Sequence, residues 1–137
     1  MVRIEIDYQG DLHCRAGHGP SRVELQTDAP VDNQGRGASF SPTDLMATAL
    51  GTCMLTTMGI AARREGIAIE GSSATVDKEM TTVGPRRIAR LIAHVYFSVP
   101  RSADRNAVLE RTAIECPVNR CFHPDVERVI EFHWRPE

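Results

Sequence analysis

SPTDLMATALGTCMLTTMGIAARREG, residues 41–66, is the stretch whose reading decides the fold. Ser41 can cap a helix, Pro42 sits at the first helical position where a missing amide costs nothing, and Asp44 suits the positive end. Gly66 supplies the stop. The pattern predicts a helix over about 42–65. After Asp44 the next charged residue is Arg63. A helix apolar nearly all round must be buried on most sides. In so short a chain, that predicts cover from a second subunit.

Upstream, VRIEIDY places Val2, Ile4, Ile6 and Tyr8 on one side with charged residues between them, the alternation of a half-buried strand. Gly17, Gly19 and Pro20 make a turn. SRVELQT then alternates again with Val23 and Leu25 facing in, which predicts a hairpin. DAPVDNQGRGASF, residues 28–40, reads as a loop. Downstream, IAIEGSSATVDKEM and IARLIAHVYFSVP read as two long strands joined near Val83-Gly84-Pro85. In the second, Ile88, Arg90, Ile92, His94 and Tyr96 share one side, and Ala89, Leu91, Ala93, Val95 and Phe97 the other. SADRNAVLERTAIEC fits a second helix with Ala107, Val108, Leu109 and Ile114 inward and Asp104 or Ser102 as cap. Pro117 ends it, so Cys116 sits at a helix break. RVIEFHW closes as a strand. Strands, helix, strands, helix, strand predict an α+β fold with an antiparallel sheet, organised as one domain over residues 1–137.

The totals narrow the function. The 137 residues are 42% hydrophobic and 25% charged, with 16 basic and 18 acidic residues and a net charge of −2. No basic block is present, so neither nucleic acid nor an anionic membrane is an expected partner. The apolar stretches are expected to be too short to span a bilayer. VRIEIDY resembles no targeting segment, so the expected compartment is the cytoplasm, where thiols stay reduced.

Four cysteines remain to be explained. Cys53 shares a helix face with Met46, Ala49 and Leu50, and a small buried hydrophobe is one reading of it. Cys116, at a proline break with Arg120 close by, suits a partly exposed thiolate. Cys116, Cys121 and His123 form a possible three-ligand zinc set, though zinc motifs are usually more tightly paired. His94 and His133 read as strand residues. No dinucleotide, phosphate-loop or serine-hydrolase motif occurs.

Two stretches taken together carry a resemblance. FSPTDLMATALGTCMLTTM is similar to the central helix of the OsmC/Ohr superfamily, where a proline-led helix carries a cysteine. IECPVNRCF resembles that superfamily's second motif, in which Cys-Pro-Val follows a helix. The spacing of 63 residues between Cys53 and Cys116 also fits. Within the superfamily the chain is closer to the OsmC-like branch than to the Ohr branch.

The resemblance implies an intertwined homodimer with long central helices and sites at the subunit interface. It implies a thiol peroxidase acting on organic hydroperoxides without cofactor, metal or haem. Cys53 would be the peroxidatic thiolate and Cys116 the resolving thiol. A dithiol, such as that of a lipoylated protein, would be the reductant. An arginine held by a carboxylate would keep Cys53 ionised against desolvation. Family peroxidases have a glutamate just after the helix proline, where this chain has Thr43, so Asp44 becomes the expected carboxylate. Asp44 is nine residues from Cys53, about 13 Å along the axis and half a turn round. It could serve only across a partner helix or through an arginine, of which Arg15 is the expected one, with Arg22, Arg36 and Arg120 as alternatives. A non-catalytic dimer binding a small apolar ligand is the competing expectation.

Overall fold

The computed structural model describes every residue from Met1 to Glu137. Its contacts divide it into two compact units, Met1–Met46 and Ala47–Glu137.

In the first unit, β1 (Ile4–Tyr8), β2 (His13–His18) and β3 (Glu24–Asp28) form an antiparallel sheet in the order β1-β2-β3. The expected hairpin is therefore a three-stranded meander. β2 escapes periodicity because HCRAGH has no run of large apolar residues. Its strand character comes from a ladder on each side: Ile6 faces Ala16, and Ala16 faces Leu25. The first turn, Gly10-Asp11-Leu12, is left-handed at all three residues. The expected inward face is indeed one face of this sheet, and within this unit it carries no covering layer. Ile4, Ile6, Tyr8, Val23 and Leu25 are all exposed.

The loop after β3 is tied down by Asp28. Its buried carboxylate accepts the Ala38 N–H at 3.0 Å and lies 3.6 Å from His13 Nδ1, and its own N–H donates to the Phe40 carbonyl. The Ala38 bond, reinforced by Arg36 and His13, holds this carboxyl below its usual range against the opposing effect of burial. Gly35 passes so close to Ala29 that a Cβ would lie 1.7 Å from the Ala29 carbonyl oxygen.

α1 is Pro42–Glu65, as its residues predict. Ser41 and Asp44 form a reciprocal cap: the Ser41 N–H donates to Asp44 Oδ2 at 2.8 Å and the Asp44 N–H to Ser41 Oγ at 3.1 Å. At the other end Gly66 is left-handed (φ +68°). Its N–H donates to the Arg63 carbonyl and that of Ile67 to Ala62, a Schellman closure. By length and composition this helix could cross a membrane, which corrects the expectation that no stretch was long enough. The reason is its absence of charge between Asp44 and Arg63, together with threonines whose hydroxyls bond back to helix carbonyls, as Thr52 does to Thr48. Ala47, Leu50, Gly51, Met54, Met58, Ala61 and Ala62 are nonetheless buried. Within one chain, then, one stripe is covered, and Met46 and Ile60 are exposed.

The second unit holds the core. β4 (Ser73–Met80), β5 (Ile88–Pro100) and β6 (Glu127–Arg135) form a sheet in the order β4-β5-β6. β4 starts six residues later than expected, because Ile67–Ser72 is spent closing α1 and turning the chain. β5 matches its expected bounds, and of its two expected sides the one with Leu91, Ala93, Val95 and Phe97 is buried. Ile88 is buried too, because a bulge between Glu79 and Met80 shifts the register there. β6 corrects the wholly antiparallel expectation: it pairs parallel to β5. A crossover that contains α2 (Val108–Ile114) and α3 (Pro117–Cys121) brings the chain back to enter in the same direction.

α2 is shorter than expected. Ala107 is left-handed (φ 50°) and exposed, and Ile114 is exposed, whereas Leu109 and Ala113 are fully buried. Asp104 is the cap: its two carboxylate oxygens accept the N–H groups of Val108 and Leu109, each at 3.0 Å. Ser102 instead donates to Glu137. Asp104→Ala should cost about 1–2 kcal/mol in a urea titration, because two buried donors lose their acceptor. Ser102→Ala should stay within about 0.5 kcal/mol. Equal midpoints for the two variants would show that Asp104 is not the cap.

Candidate thiol site

Cys53 lies at the edge of the buried stripe of α1. Leu50 and Met54 beside it are fully buried, and Cys53 itself is half-buried against the core. One turn on, the Thr57 hydroxyl bonds to the Cys53 carbonyl at 2.9 Å and reaches the Thr112 carbonyl at 3.4 Å. α1 is thereby fastened to α2 within one turn of the cysteine.

Cys116 is the residue before α3, with Pro117 at the first helical position. The break predicted at Pro117 is real, but it does not expose the sulfur: Cys116 is 1% exposed. Burial pushes its thiol up. The backbone N–H groups of Asn119 and Val118 oppose that by bonding to the sulfur, and a hydrogen bond with Cys53 adds to the rise. The two thiols, 63 residues apart in the sequence, thus lie near enough for Cys53 to influence the ionisation of Cys116. No disulfide joins them.

The remaining expected residues have other surroundings. Arg15, on β2, is clasped between Asp7 and Glu24, with both contacts at 2.8 Å. Those carboxylates raise its already high pKa further, the Asp7 hydrogen bond most. Asp44 accepts the Ser41 N–H in the cap of α1. Arg120 donates from Nε to the Glu115 carbonyl. The set Cys116, Cys121 and His123 is not assembled: Cys116 is buried, Cys121 is exposed, and His123 Nδ1 accepts the Asp125 N–H at 3.1 Å. Cys14, on β2, is half-buried between Tyr8 and Thr27 in the ladders.

The sequence did not single out an open pocket of about 240 Å³ further along α1, lined by Thr57, Ile60, Ala61 and Arg64 with Thr112, Glu115 and Arg120; neither cysteine lines it. The signal was available in the spacing 53, 57, 60, 64, which keeps one helix face. It passed unnoticed because the threonine and isoleucine looked like ordinary helix residues.

A model of the OsmC-like protein family matches residues 35–131, more than half of the chain. Among solved structures, a protein from Psychrobacter arcticus 273-4, described as a candidate osmotic stress induced and detoxification response protein, is 42% identical. It covers 97% of this chain and 96% of its own, with a TM-score of 0.88. An organic hydroperoxide resistance protein OsmC from Legionella pneumophila is 13% identical, with a TM-score of 0.76 and coverage of 97% and 96%. The organic hydroperoxide resistance protein OhrB of Bacillus subtilis is 16% identical, with a TM-score of 0.70 and coverage of 96% and 97%. The last two likenesses concern the fold. No curated protein matches.

The environments of the thiols predict an order of reactivity. A raised pKa leaves less thiolate at any given pH, and burial blocks access as well. At pH 8, iodoacetamide should modify exposed Cys121 first and Cys116 last, read by peptide mass spectrometry. In denaturant the difference should vanish. Early loss of the Cys116 thiol from folded protein would contradict the burial described.

Proposed function

This chain belongs to the OsmC-like protein family, and we propose that it is a homodimeric thiol peroxidase that reduces organic hydroperoxides through Cys53 and Cys116. The observation that carries this is the proximity of the two thiols in one core cluster, near enough for Cys53 to add to the raised pKa of Cys116. It supplies what a two-cysteine cycle needs, an attacking sulfur and a second one already within reach.

The cycle balances as follows. The Cys53 thiolate attacks the distal peroxide oxygen, the O–O bond breaks, and the alkoxide leaves with a proton as an alcohol. Cys53 is oxidised to a sulfenic acid. The Cys116 thiol then attacks that sulfur, an S–S bond forms, and the hydroxyl leaves as water. An external dithiol, such as that of a lipoylated protein, reduces the disulfide by two exchange steps and is itself oxidised. Burial suits Cys116 to the second role, since it stays protonated and does not compete for peroxide. The open pocket next to Thr57 would take the organic group of the substrate against Ile60 and Ala61.

A second copy of the chain completes the proposal. It would cover the apolar face of β1-β2-β3 and the uncovered side of α1, both of which one chain leaves exposed. The proposed setting is the cytoplasm, where dithiol reductants are maintained. On the resemblance, Arg15 remains the proposed cation for Cys53 and Asp44 its carboxylate. Each already has partners near its own position in the chain, so the assay must separate activation from structural support.

Stopped-flow consumption of cumene hydroperoxide with a dihydrolipoyl reductant is the test. Cys53→Ser should fall to background. Cys116→Ser should turn over once and yield a sulfenic acid that dimedone traps. Arg15→Ala should lose about 100-fold or more in the peroxide step if it stabilises the thiolate. A loss of stability alone would make it a sheet residue. Wild-type protein with reduced thiols that is no faster than Cys53→Ser would end the proposal.

A further inference from the structure

β5 has two faces. One carries Leu91, Ala93 and Val95 into the core. The other carries His94, which lies opposite Glu131 in the parallel ladder, while His133 is two residues further along β6 on the same face. The ligand atoms of His94, Glu131 and His133 all lie within 4.8 Å of one another. His94 Nδ1 is 3.0 Å from His133 Nε2 and 3.4 Å from Glu131 Oε2. We propose that these three side chains form a binding site for a divalent transition-metal ion such as Zn²⁺, on the sheet face opposite the thiol pair.

Tetrahedral zinc with bonds of 2.0–2.1 Å requires its ligand atoms to be roughly 3.3 Å apart. The two separations from His94 Nδ1 bracket that value, and all three ligand atoms lie within 4.8 Å, so a small side-chain adjustment completes the set. The hydrogen-bonding alternative serves the three groups poorly. His94 Nδ1 faces an imidazole nitrogen and a carboxylate at once, and a single proton on it can satisfy only one of them. A cation would use one lone pair from each group together. Two imidazoles and a carboxylate favour a borderline ion such as zinc, nickel or copper over magnesium or calcium, which prefer all-oxygen sites.

The rings are also preset. Tyr96 stacks on His133 with ring centroids 4.8 Å apart and 18° between planes, and the two histidine rings stack at 5.2 Å. Tyr96 and His133 are themselves partners in the β5/β6 ladder. Glu131 and His133 are exposed, so water can complete the coordination sphere. The thiol pair takes no part. Leu91, Ala93 and Val95 fill the inner face of the strand whose outer face carries His94.

Equilibrium dialysis against Zn²⁺, with bound metal counted by elemental analysis, tests the site in the full chain. One equivalent per chain is expected. His94→Ala and His133→Gln should each weaken binding about tenfold or more, and the double variant should abolish that equivalent. Cys53→Ser should leave it unchanged. Co²⁺ bound at this site should give visible absorption without the near-ultraviolet thiolate band. Zinc-induced shifts confined to the His94 and His133 ring resonances in NMR would support the site even if a variant folds poorly. Equal zinc binding by wild type and the double variant, a cobalt thiolate band, or no zinc bound by wild type would each overturn the proposal.

Discussion

The burial of one stripe of α1 against the inner face of β5 is the constraint on which the site depends. Leu50, Met54 and Met58 recur every four residues, all fully buried, and pack in one cluster with Leu91, Ala93 and Val95. Each such side chain contributes about 1.5–3 kcal/mol relative to exposure. Cys53 is adjacent to Met54, so its place on the stripe's edge follows from the packing of its neighbours. Leu109 and Ala113 join the same cluster from α2 and carry Cys116 with them. The proximity of the two thiols is thus a product of core packing. Neither cysteine needs a dedicated device to find the other.

Packing also makes the two thiols unlike. Cys116 is enclosed by apolar groups, which disfavours the thiolate, while two amides at the start of α3 favour it. Burial is the larger effect, so the balance lies toward the protonated form. Cys53 at the stripe's edge is open to one side. A pair in which one sulfur is accessible and the other is kept as a thiol is suited to successive attack and resolution. Two equivalent thiols would instead compete for the oxidant.

Strand alternation sorts the remaining chemistry. On β5, one set of side chains makes the core and the other gathers His94 beside Glu131 and His133. On the β1-β2-β3 sheet, the same alternation puts Arg15 between Asp7 and Glu24 on one face and Ile4, Ile6 and Leu25 on the other. On the second of those faces Ile4, Ile6 and Leu25 are exposed.

The chain's local rules alone determined α1 and β5 to the residue: a Ser41/Asp44 cap, a Gly66 stop and, on β5, a period of two that holds from Leu91 to Phe97. They also narrowed the cap of α2 to Asp104 or Ser102 and read residues 28–40 as a loop. Cys53 and Cys116 were singled out as a pair by the motifs around them. Tertiary structure alone decided the rest. β2 exists because ladders form on both its sides, and β6 runs parallel because a crossover returns it in that direction. β4 starts late because the closure of α1 consumes Ile67–Ser72. His94 and His133, 39 residues apart, looked like unrelated strand residues until register placed them together. Periodicity reports which way a side chain faces within its own element. What it meets there depends on pairings between distant segments, and those are set by the packing of the whole unit.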